Sequence, residues 1–581
     1  MKTKWNLKLL YDGNNDPRIE GDLKKMEKAY ADFAKRYAGK KDYLVKEQSL
    51  ALALKDFERL NDLALAKPYA YFSYQQDLDS RDTSVEARLN LLSQRYTKSG
   101  NLITFFPVAL ARIKLSDQKK FLKSKALAPY RYFLRNVFEE SKHVLSEAEE
   151  KILNLKSLPA SELWVRGNEK MVSKQEVKWR GKSVPLAEAV GKIHSLPTRG
   201  RRALHEQVGE RLKSIADFAE SELNALVLNK KINDELRGYP EPFSATVLGY
   251  QNEPETVRNL IATVTKHFPI AHRFYRAKAK MLGLKTLTYA DRAAPIGKTK
   301  KEIPFSEAVA IIRRAFTRVN PIYASTFDEM IERGQVDVFP GVGKQGGAYC
   351  SSQEGLPTFV LLNHLPDFKS VMTLAHELGH AIHAKFSNQQ PPLYRGHSIA
   401  TAEVASTLFE NFAFDEVFQL LSPAEKVIAL HDRIGDSVQT IFRQVACFNF
   451  ELDLHRQIRA KGSLPKEGIS QLMNQHMSAY LGPLFKLSEN DGYFFVQWPH
   501  LRNFFYVYSY AFGELVSSAL YSEYQKDNGF EQKIRQFLSS GASASPEDIF
   551  AQIGVEVRRP NFFRSGLIKI ERDIAKLEEM I

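Results

Sequence analysis

Two histidines and a glutamate lie close together in an apolar stretch of the chain, residues 371–386. His376 and His380 are four residues apart, so in a helix both imidazoles lie on one face, one turn apart, and can reach one metal ion. Glu377 lies beside them and can take the proton of an attacking water as general base. The pattern His-Glu-x-x-His in this setting predicts a zinc hydrolase.

The motif is specific for a chain of this composition. With 14 histidines among 581 residues, it is expected by chance in about two chains per hundred. Its neighbours Leu374, Leu378 and Ile382 are apolar, and burying two imidazoles and a carboxylate among them without a metal or other partners would be costly. A polar stripe on an amphipathic helix therefore explains the pattern less well than a metal site does.

A hydrolytic zinc site needs a third protein ligand and one open position for water. His383 follows His380 by three residues but lies two turns from His376, roughly 10 Å along a helix axis, so the three histidines cannot readily converge on one ion. A metzincin would need glycine at position 383 and histidine at position 386. These positions hold His383 and Phe386, so the metzincin class is excluded.

Glu403 is the better candidate for the third ligand. It lies in a second helical segment, 401–410, which a polar connection containing proline and glycine separates from the first. A helix, a loop and an antiparallel helix would bring Glu403 back to the histidines. Its carboxylate would supply an oxygen ligand and leave the site open. The alternative from spacing alone is a solvated carboxylate near a helix start.

The elements that must position these residues are mainly helical. Apolar residues recur every three or four positions in 17–37 and again in 203–228, which is typical of amphipathic helices. The pattern is interrupted around 197–200, where proline and glycine occur. We therefore expect an N-terminal helical region, 1–195, and a catalytic domain, 196–581.

Strand signals are confined to short segments directly before the histidines. These segments are 335–339, 346–350 and 357–363, and they are separated by turns rich in glycine and proline. A small sheet beside the metal-binding helix suits a peptidase, because an edge strand can hold an extended peptide by backbone hydrogen bonds. A purely structural sheet is the alternative.

Composition indicates an ordinary globular protein, with 44% hydrophobic and 26% charged residues. The N-terminus lacks the unbroken apolar core of a secretory signal, and the longest apolar run is far shorter than a membrane span. Cys350 and Cys447 are predicted to be free thiols, which fits a reducing compartment. The net charge of +14 is spread over short groups, which favours a solvated basic surface over nucleic acid or membrane binding. We expect a cytoplasmic enzyme; the oligomeric state stays open.

Several segments together resemble oligoendopeptidase F of the thimet-oligopeptidase family of zinc peptidases, over nearly the whole chain. They are His-Glu-Leu-Gly-His at 376–380, Ala-Glu-Val-Ala-Ser-Thr at 402–407 and Gly-Lys-Gln-Gly-Gly-Ala-Tyr-Cys at 343–350, with weaker similarity at both ends of the chain. The resemblance implies His376, His380 and Glu403 as ligands of one zinc ion and Glu377 as catalytic base. It also implies a mainly helical, two-lobed zincin with a deep channel that admits flexible oligopeptides.

A zinc peptidase also needs hydrogen-bond donors for the oxyanion that forms at the scissile carbonyl. The aromatic segment 491–512 is the obvious source, and its C-terminal part is predicted to be helical, with Tyr506 and Tyr510 on one face and Tyr508 turned away. The family resemblance implies His500 and Tyr510 as these donors. Tyr506 or Tyr508 could serve instead of Tyr510, since the alignment with the family is not clean here.

The sequence therefore predicts a zinc endopeptidase that hydrolyses short unstructured oligopeptides. Internal cleavage follows from the resemblance, because the same ligands could serve a carboxypeptidase or a dipeptidase that clamps the terminal carboxylate with a basic residue. A peptide-binding protein with a structural zinc ion is a third interpretation of the sequence. Glu377 argues against it, because a structural site needs no general base.

Overall fold

The computed structural model describes residues 1–62, 66–297 and 301–581 and is 71% helical. This confirms the predicted mainly helical fold. In chain order the α-helices are α1 Pro17–Tyr37, α2 Glu47–Asp62, α3 Lys67–Leu78, α4 Thr83–Gly100, α5 Phe105–Ala111, α6 Leu115–Lys123, α7 Arg131–Glu140, α8 Glu147–Ser157, α9 Leu163–Ser173, α10 Leu186–Ile193, α11 Thr198–Ser214, α12 Ala216–Arg237, α13 Ser244–Gly249, α14 Pro254–Lys266, α15 Pro269–Leu282, α16 Phe305–Val319, α17 Pro321–Arg333, α18 Phe368–Ser387, α19 Ile399–Gln419, α20 Pro423–Ser437, α21 Gln444–Lys461, α22 Lys466–Leu481, α23 Tyr508–Lys526, α24 Glu531–Ser539, α25 Pro546–Gln552 and α26 Phe562–Met580.

Five short strands form two small sheets among the described residues. The strands are β1 Glu176–Trp179, β2 Lys182–Pro185, β3 Val336–Asp337, β4 Tyr349–Ser351 and β5 Phe359–Leu361. β1 and β2 form an antiparallel hairpin, whereas β5 lies between a parallel β3 and an antiparallel β4. The second sheet confirms the three strands predicted before the histidines, and it leaves β4 as an edge strand.

The chain folds into two compact units, each built from three stretches. Unit 1 comprises Met1–Val144, Lys301–Gln419 and Glu523–Ile553. Its N-terminus is fixed to the second sheet: the Trp5 N–H donates to Asp337 Oδ2 at 3.1 Å, and the Trp5 indole donates to the Val360 carbonyl at 2.8 Å. Helices α18 and α19, which carry the predicted ligands, belong to this unit.

Unit 2 comprises Leu145–Lys300, Leu420–Ser522 and Gly554–Ile581. Its interior contains ion pairs as well as apolar side chains. Asp291 accepts hydrogen bonds from two arginines, at 2.7 Å from Arg201 and 2.6 Å from Arg202. Arg502 pairs with the fully buried Glu222 at 2.6 Å. These carboxylates offset part of the positive charge of the arginines that they contact.

Some details differ from the sequence expectations. The periodic pattern 203–228 covers parts of two helices, because the chain breaks between α11 and α12 at Ile215. Cys350 and Cys447 are free, as predicted. None of the described helices has the length and apolar character that a bilayer-spanning segment needs. The predicted division near residue 195 and the substrate channel stay predictions.

Candidate active site

Helix α18 carries the His-Glu-x-x-His motif, and its position against α19 is set by a glycine. The helix begins with a side-chain cap, since Asp367 accepts a hydrogen bond from the Ser370 N–H at 2.8 Å. At Gly379 an added Cβ would lie 2.7 Å from the Cα of Ser406 on α19. Only glycine permits this approach, so the residue between the two histidines brings the second helix close to the motif.

The two helices bring together three side chains that can hold a metal ion. His376, His380 and Glu403 each offer one ligand atom, and these atoms all lie within 4.8 Å of one another. The imidazole rings of His376 and His380 are 5.0 Å apart, and His376 Nε2 lies 3.7 Å from a Glu403 oxygen. Two imidazole nitrogens and one carboxylate oxygen suit a zinc ion and leave a fourth position for water or substrate.

Glu410 lies behind His376 and orients it. The His376 Nδ1 is 3.3 Å from Glu410 Oε2, on the opposite side of the ring from Glu403. Carboxylates in this position fix the tautomer of a ligand histidine and raise its basicity. Ser406, one turn before Glu410 on the same helix, does not share this role. Its hydroxyl donates to the Glu403 carbonyl of its own helix at 3.2 Å.

Several acidic groups lie close together in the site, and they shift the pKa values of their neighbours. Burial raises the pKa of Glu377 to about 7, with His376 and the Cys350 N–H opposing the rise and Glu403 adding to it. Burial disfavours charge on His376, but Glu410, Glu377 and Glu403 outweigh this effect and raise its pKa to about 9. Strongly shifted pKa values that arise from burial and close charges together are typical of functional sites.

His383 does not join the ligand group. It is fully buried and stacks on His397, with ring centroids 4.2 Å apart and planes at 17°, and its other neighbour is Phe537. Sequence reasoning missed His397, which lies in the connection between α18 and α19. The sequence carries no local signal for this stack, since the two rings meet only after the connection folds back.

A cavity of about 450 Å³ contains the candidate ligands. One wall is the edge strand β4, with Tyr349 and Cys350, and another is the α18–α19 connection at 395–397. That connection is fixed to unit 1: the Tyr394 hydroxyl donates to the Pro129 carbonyl at 2.9 Å, and Gln390 donates to the Ser539 carbonyl at 2.6 Å. Burial raises the pKa of the Cys350 thiol, so it remains neutral beside Glu377.

His500, Tyr506 and Tyr510 form a second cluster, in unit 2. The His500 ring lies 5.2 Å from Tyr506 and 6.1 Å from Tyr510, nearly parallel to the latter. Tyr508 is fully buried instead, and its hydroxyl donates to Asn252 Oδ1 at 2.9 Å. Helix α23 begins only at Tyr508, so Tyr506 lies in the preceding turn and not on the predicted helical face.

An unusual backbone produces that turn. Phe504 and Phe505 have positive φ angles of 29° and 62°, a conformation that costs non-glycine residues about 1–3 kcal/mol. The Phe505 N–H donates to the buried Glu451 at 2.8 Å, and Thr246 donates to the Phe504 carbonyl at 2.8 Å. These bonds hold the turn that presents Tyr506 to His500.

Comparison with known proteins agrees with the family resemblance in the sequence. The protein-family model described as Peptidase family M3 matches residues 197–567. The family model described as Oligopeptidase F matches residues 110–174. Group B oligopeptidase PepB of Streptococcus agalactiae serotype III (strain NEM316) is 25% identical over 608 residues, covering 100% of this chain and 97% of its own. Oligopeptidase PepF of Bacillus subtilis (strain 168) is 23% identical, covering 89% and 79%.

Solved structures share the fold. A crystal structure of a Chlamydophila abortus protein aligns with a TM-score of 0.85 and 24% identity, covering 100% of this chain and 98% of its own. Oligoendopeptidase-F from Enterococcus faecium aligns with a TM-score of 0.69 and 19% identity, covering 97% of both chains. The resemblance read from the sequence is thereby confirmed. The chain belongs to peptidase family M3, and it is a metalloendopeptidase that acts on oligopeptides.

Proposed function

We propose that this protein is a zinc oligoendopeptidase with one zinc ion held by His376, His380 and Glu403 and with Glu377 as general base. The observation that carries the proposal is the convergence of the three ligand atoms within 4.8 Å of one another beside a buried carboxylate. A bound zinc ion would supply Lewis acidity toward the scissile carbonyl and would acidify water.

Glu377 has the properties of a group that moves a proton at neutral pH. Burial raises its pKa to about 7 in the metal-free chain, and as a carboxylate it can take a proton from the attacking water and later pass it to the leaving amine. The neighbouring imidazoles and Glu403 fill the ligand positions, which leaves Glu377 free for this role. Its side chain is only 7% exposed, and this burial limits competition from bulk water.

His500 and Tyr510 are the proposed donors to the oxyanion. Burial and the nearby Arg443 lower the pKa of His500, so the ring is a neutral imidazole at neutral pH. A neutral imidazole keeps one N–H donor, and a tyrosine hydroxyl is a second. Two such donors can stabilise the negative charge that develops on the carbonyl oxygen.

Oligopeptides cut at internal bonds are the proposed substrates. The curated relatives carry names such as oligoendopeptidase F and oligopeptidase. The edge strand β4 supports the proposal, because it lines the cavity and its outer side has no strand partner among the described residues. An extended peptide can add there as a further strand.

Mapping of cleavage products by mass spectrometry tests this proposal. Peptides blocked at both ends and the same peptides with free ends are incubated with the protein, with and without a chelator. We expect internal cleavage of both sets, lost on chelation and restored by zinc. Cleavage restricted to peptides with a free end would indicate an exopeptidase. Binding without cleavage would indicate a peptide-binding protein, and either result contradicts the proposal.

A further inference from the structure

Three cations in unit 2 lie together without a carboxylate partner. Lys278 is buried, and its Nζ donates to the Arg292 carbonyl at 2.8 Å. Arg292 donates to Gln439, and Arg443 follows Gln439 by four residues in the same helical segment. Among the described residues Arg443 makes no hydrogen bond or ion pair, and the Nε atoms of both arginines are buried without an acceptor. We call Lys278, Arg292 and Arg443 the cation cluster.

Several other buried or partly buried cations of unit 2 contact a carboxylate. Arg201 and Arg202 share Asp291, Arg502 pairs with Glu222, and Lys230 and Arg459 share Asp234. The nearby acid Asp432 is half exposed and is hydrogen-bonded by His431 at 2.8 Å. The contrast matters because an uncompensated buried charge costs several kcal/mol. Lys278, Arg292 and Arg443 differ in having no such carboxylate contact among the described residues.

The surroundings of the cation cluster also hold an unused hydroxyl. The Tyr289 hydroxyl is buried without a hydrogen-bond partner among the described residues, whereas the Tyr480 hydroxyl lies close to Arg292 and Tyr275. Arg292 lies over the Tyr289 ring at 5.2 Å, and Arg443 lies over the Trp498 ring at 4.3 Å. Burial and the charge of Arg292 lower the pKa of Lys278 to about 7. Positive charge and hydrogen-bond donors are therefore in surplus together, as at an anion site.

The cation cluster is adjacent to the proposed oxyanion donors. The Trp498 ring, which carries Arg443 on one side, lies 5.9 Å from the His500 ring. His500 in turn contacts Tyr506 and Tyr510. An anion bound at Arg443 would thus be a neighbour of the residues proposed to contact the substrate. If His500 and Tyr510 contact the substrate as proposed, the anion belongs to the substrate.

We propose that the cation cluster binds a carboxylate of the peptide substrate, with Arg443 and Arg292 as its ligands. The fork of a guanidinium matches a carboxylate in bidentate geometry. The carboxylate could be the peptide C-terminus or an acidic side chain, since both offer the same chemistry. The inference rests on the proposed function and deepens it: the enzyme prefers peptides that place a negative charge near the cleaved bond.

Paired peptides test the inference. In the first pair, one N-acetylated sequence has either a free or an amidated C-terminus. In the second pair, an N-acetylated and amidated sequence carries either glutamate or glutamine at one position near the cleaved bond. We expect a higher kcat/KM for the charged member of at least one pair. Arg443→Gln should lower kcat/KM for that member about 10- to 100-fold and for its neutral counterpart less than about threefold. The pair that responds identifies the source of the carboxylate.

Two controls separate a binding role from a structural one. Arg273→Gln removes an exposed arginine that pairs with Glu578, and it should lower kcat/KM for charged and neutral peptides by less than about threefold. Arg443→Lys keeps the charge without the fork and should retain part of the preference. Binding is followed directly through tryptophan fluorescence, to which Trp498 contributes, in the inactive Glu377→Gln chain. There the charged peptide should alter the emission, and adding Arg443→Gln should abolish the change.

The outcomes distinguish this inference from the proposed function. Cleavage of charged and neutral peptides alike, with Arg443→Gln affecting both equally, would overturn the inference and leave the endopeptidase intact. Equal stimulation of both peptides by sodium chloride would assign the cation cluster to a free inorganic anion and would also overturn it. Absence of any cleavage by the metal-loaded wild-type chain would overturn the proposed function itself.

Discussion

The candidate metal site of unit 1 and the cation cluster of unit 2 are opposite in charge. In unit 1, Glu377, Glu403 and Glu410 surround His376, and together they raise its pKa to about 9. In unit 2, the cation cluster has no carboxylate partner within the described part of the chain, and the pKa of Lys278 falls to about 7. A surplus of one sign in a partly buried place indicates a missing ligand of the other sign. The comparison therefore predicts a cation in one unit and an anion in the other.

The largest effect is expected from Glu377→Gln. Loss of the general base should lower peptide turnover by about 10⁴-fold, while metal content stays at the wild-type level because the three proposed ligands remain. Turnover and bound metal are measured on the same preparation. Glu332→Gln makes the same change on an exposed surface and should alter neither quantity. Turnover by Glu377→Gln within about tenfold of wild type would be incompatible with a base at this position.

A smaller effect is expected from the proposed oxyanion donors. Tyr510→Phe and His500→Gln should each lower kcat about 10²- to 10³-fold without loss of metal. Tyr508→Phe is the matched control, because it removes the hydrogen bond to Asn252. It should lower the unfolding free energy by about 1 kcal/mol and spare turnover. If Tyr508→Phe impaired turnover as much as Tyr510→Phe, the effect would be one of folding and not of catalysis.

Glu410→Gln tests the support of the metal ligands. Loss of the carboxylate behind His376 should weaken metal affinity about 10- to 100-fold, as measured by competition with a chelator of known affinity. Ser406→Ala is the control, since the Ser406 hydroxyl bonds only to backbone carbonyls of its own helix. It should leave metal affinity unchanged. Equal losses in both variants would show that packing of α18 against α19, and not Glu410, sets the affinity.

Metal affinity should depend on pH in a direction fixed by His376. Because its pKa is raised to about 9 in the metal-free chain, a proton competes with the metal at lower pH. The apparent affinity should fall by about tenfold per unit as pH decreases from 9 toward 7 and should level off at higher pH. Competition titrations across this range measure it. In Glu410→Gln the apparent affinity should level off at a lower pH than in the wild type. A wild-type affinity that does not change with pH would contradict the assignment of His376 as a metal ligand.

The two sites also differ in how far the sequence alone predicts them. The grouping of His376, His380 and Glu403 could be predicted because helical spacing places the two histidines on one face and Glu403 lies on the very next helix. At Gly379 the absence of a side chain permits the close approach of that helix at Ser406. Local periodicity carries this information, since a helix fixes the relative position of residues three or four apart.

The cation cluster could not be predicted in this way. Lys278, Arg292 and Arg443 come from separate parts of the chain and meet only through tertiary packing. The stack of His383 on His397 has the same origin. Tyr506 was placed on a helix because nothing in the sequence marks Phe504 and Phe505 for positive φ angles, which hydrogen bonds to Glu451 and Thr246 support.

Stepwise return of zinc to the metal-free chain tests the central claim most directly. Metal is removed with a chelator, zinc is added back in small portions, and bound zinc and internal cleavage of a doubly blocked peptide are followed together. The account predicts that cleavage is absent at the start, rises in proportion to bound zinc and stops rising at one ion per chain. The Glu403→Ala chain should fail to recover at the same zinc concentrations. Internal cleavage that persists with no zinc bound would contradict the account.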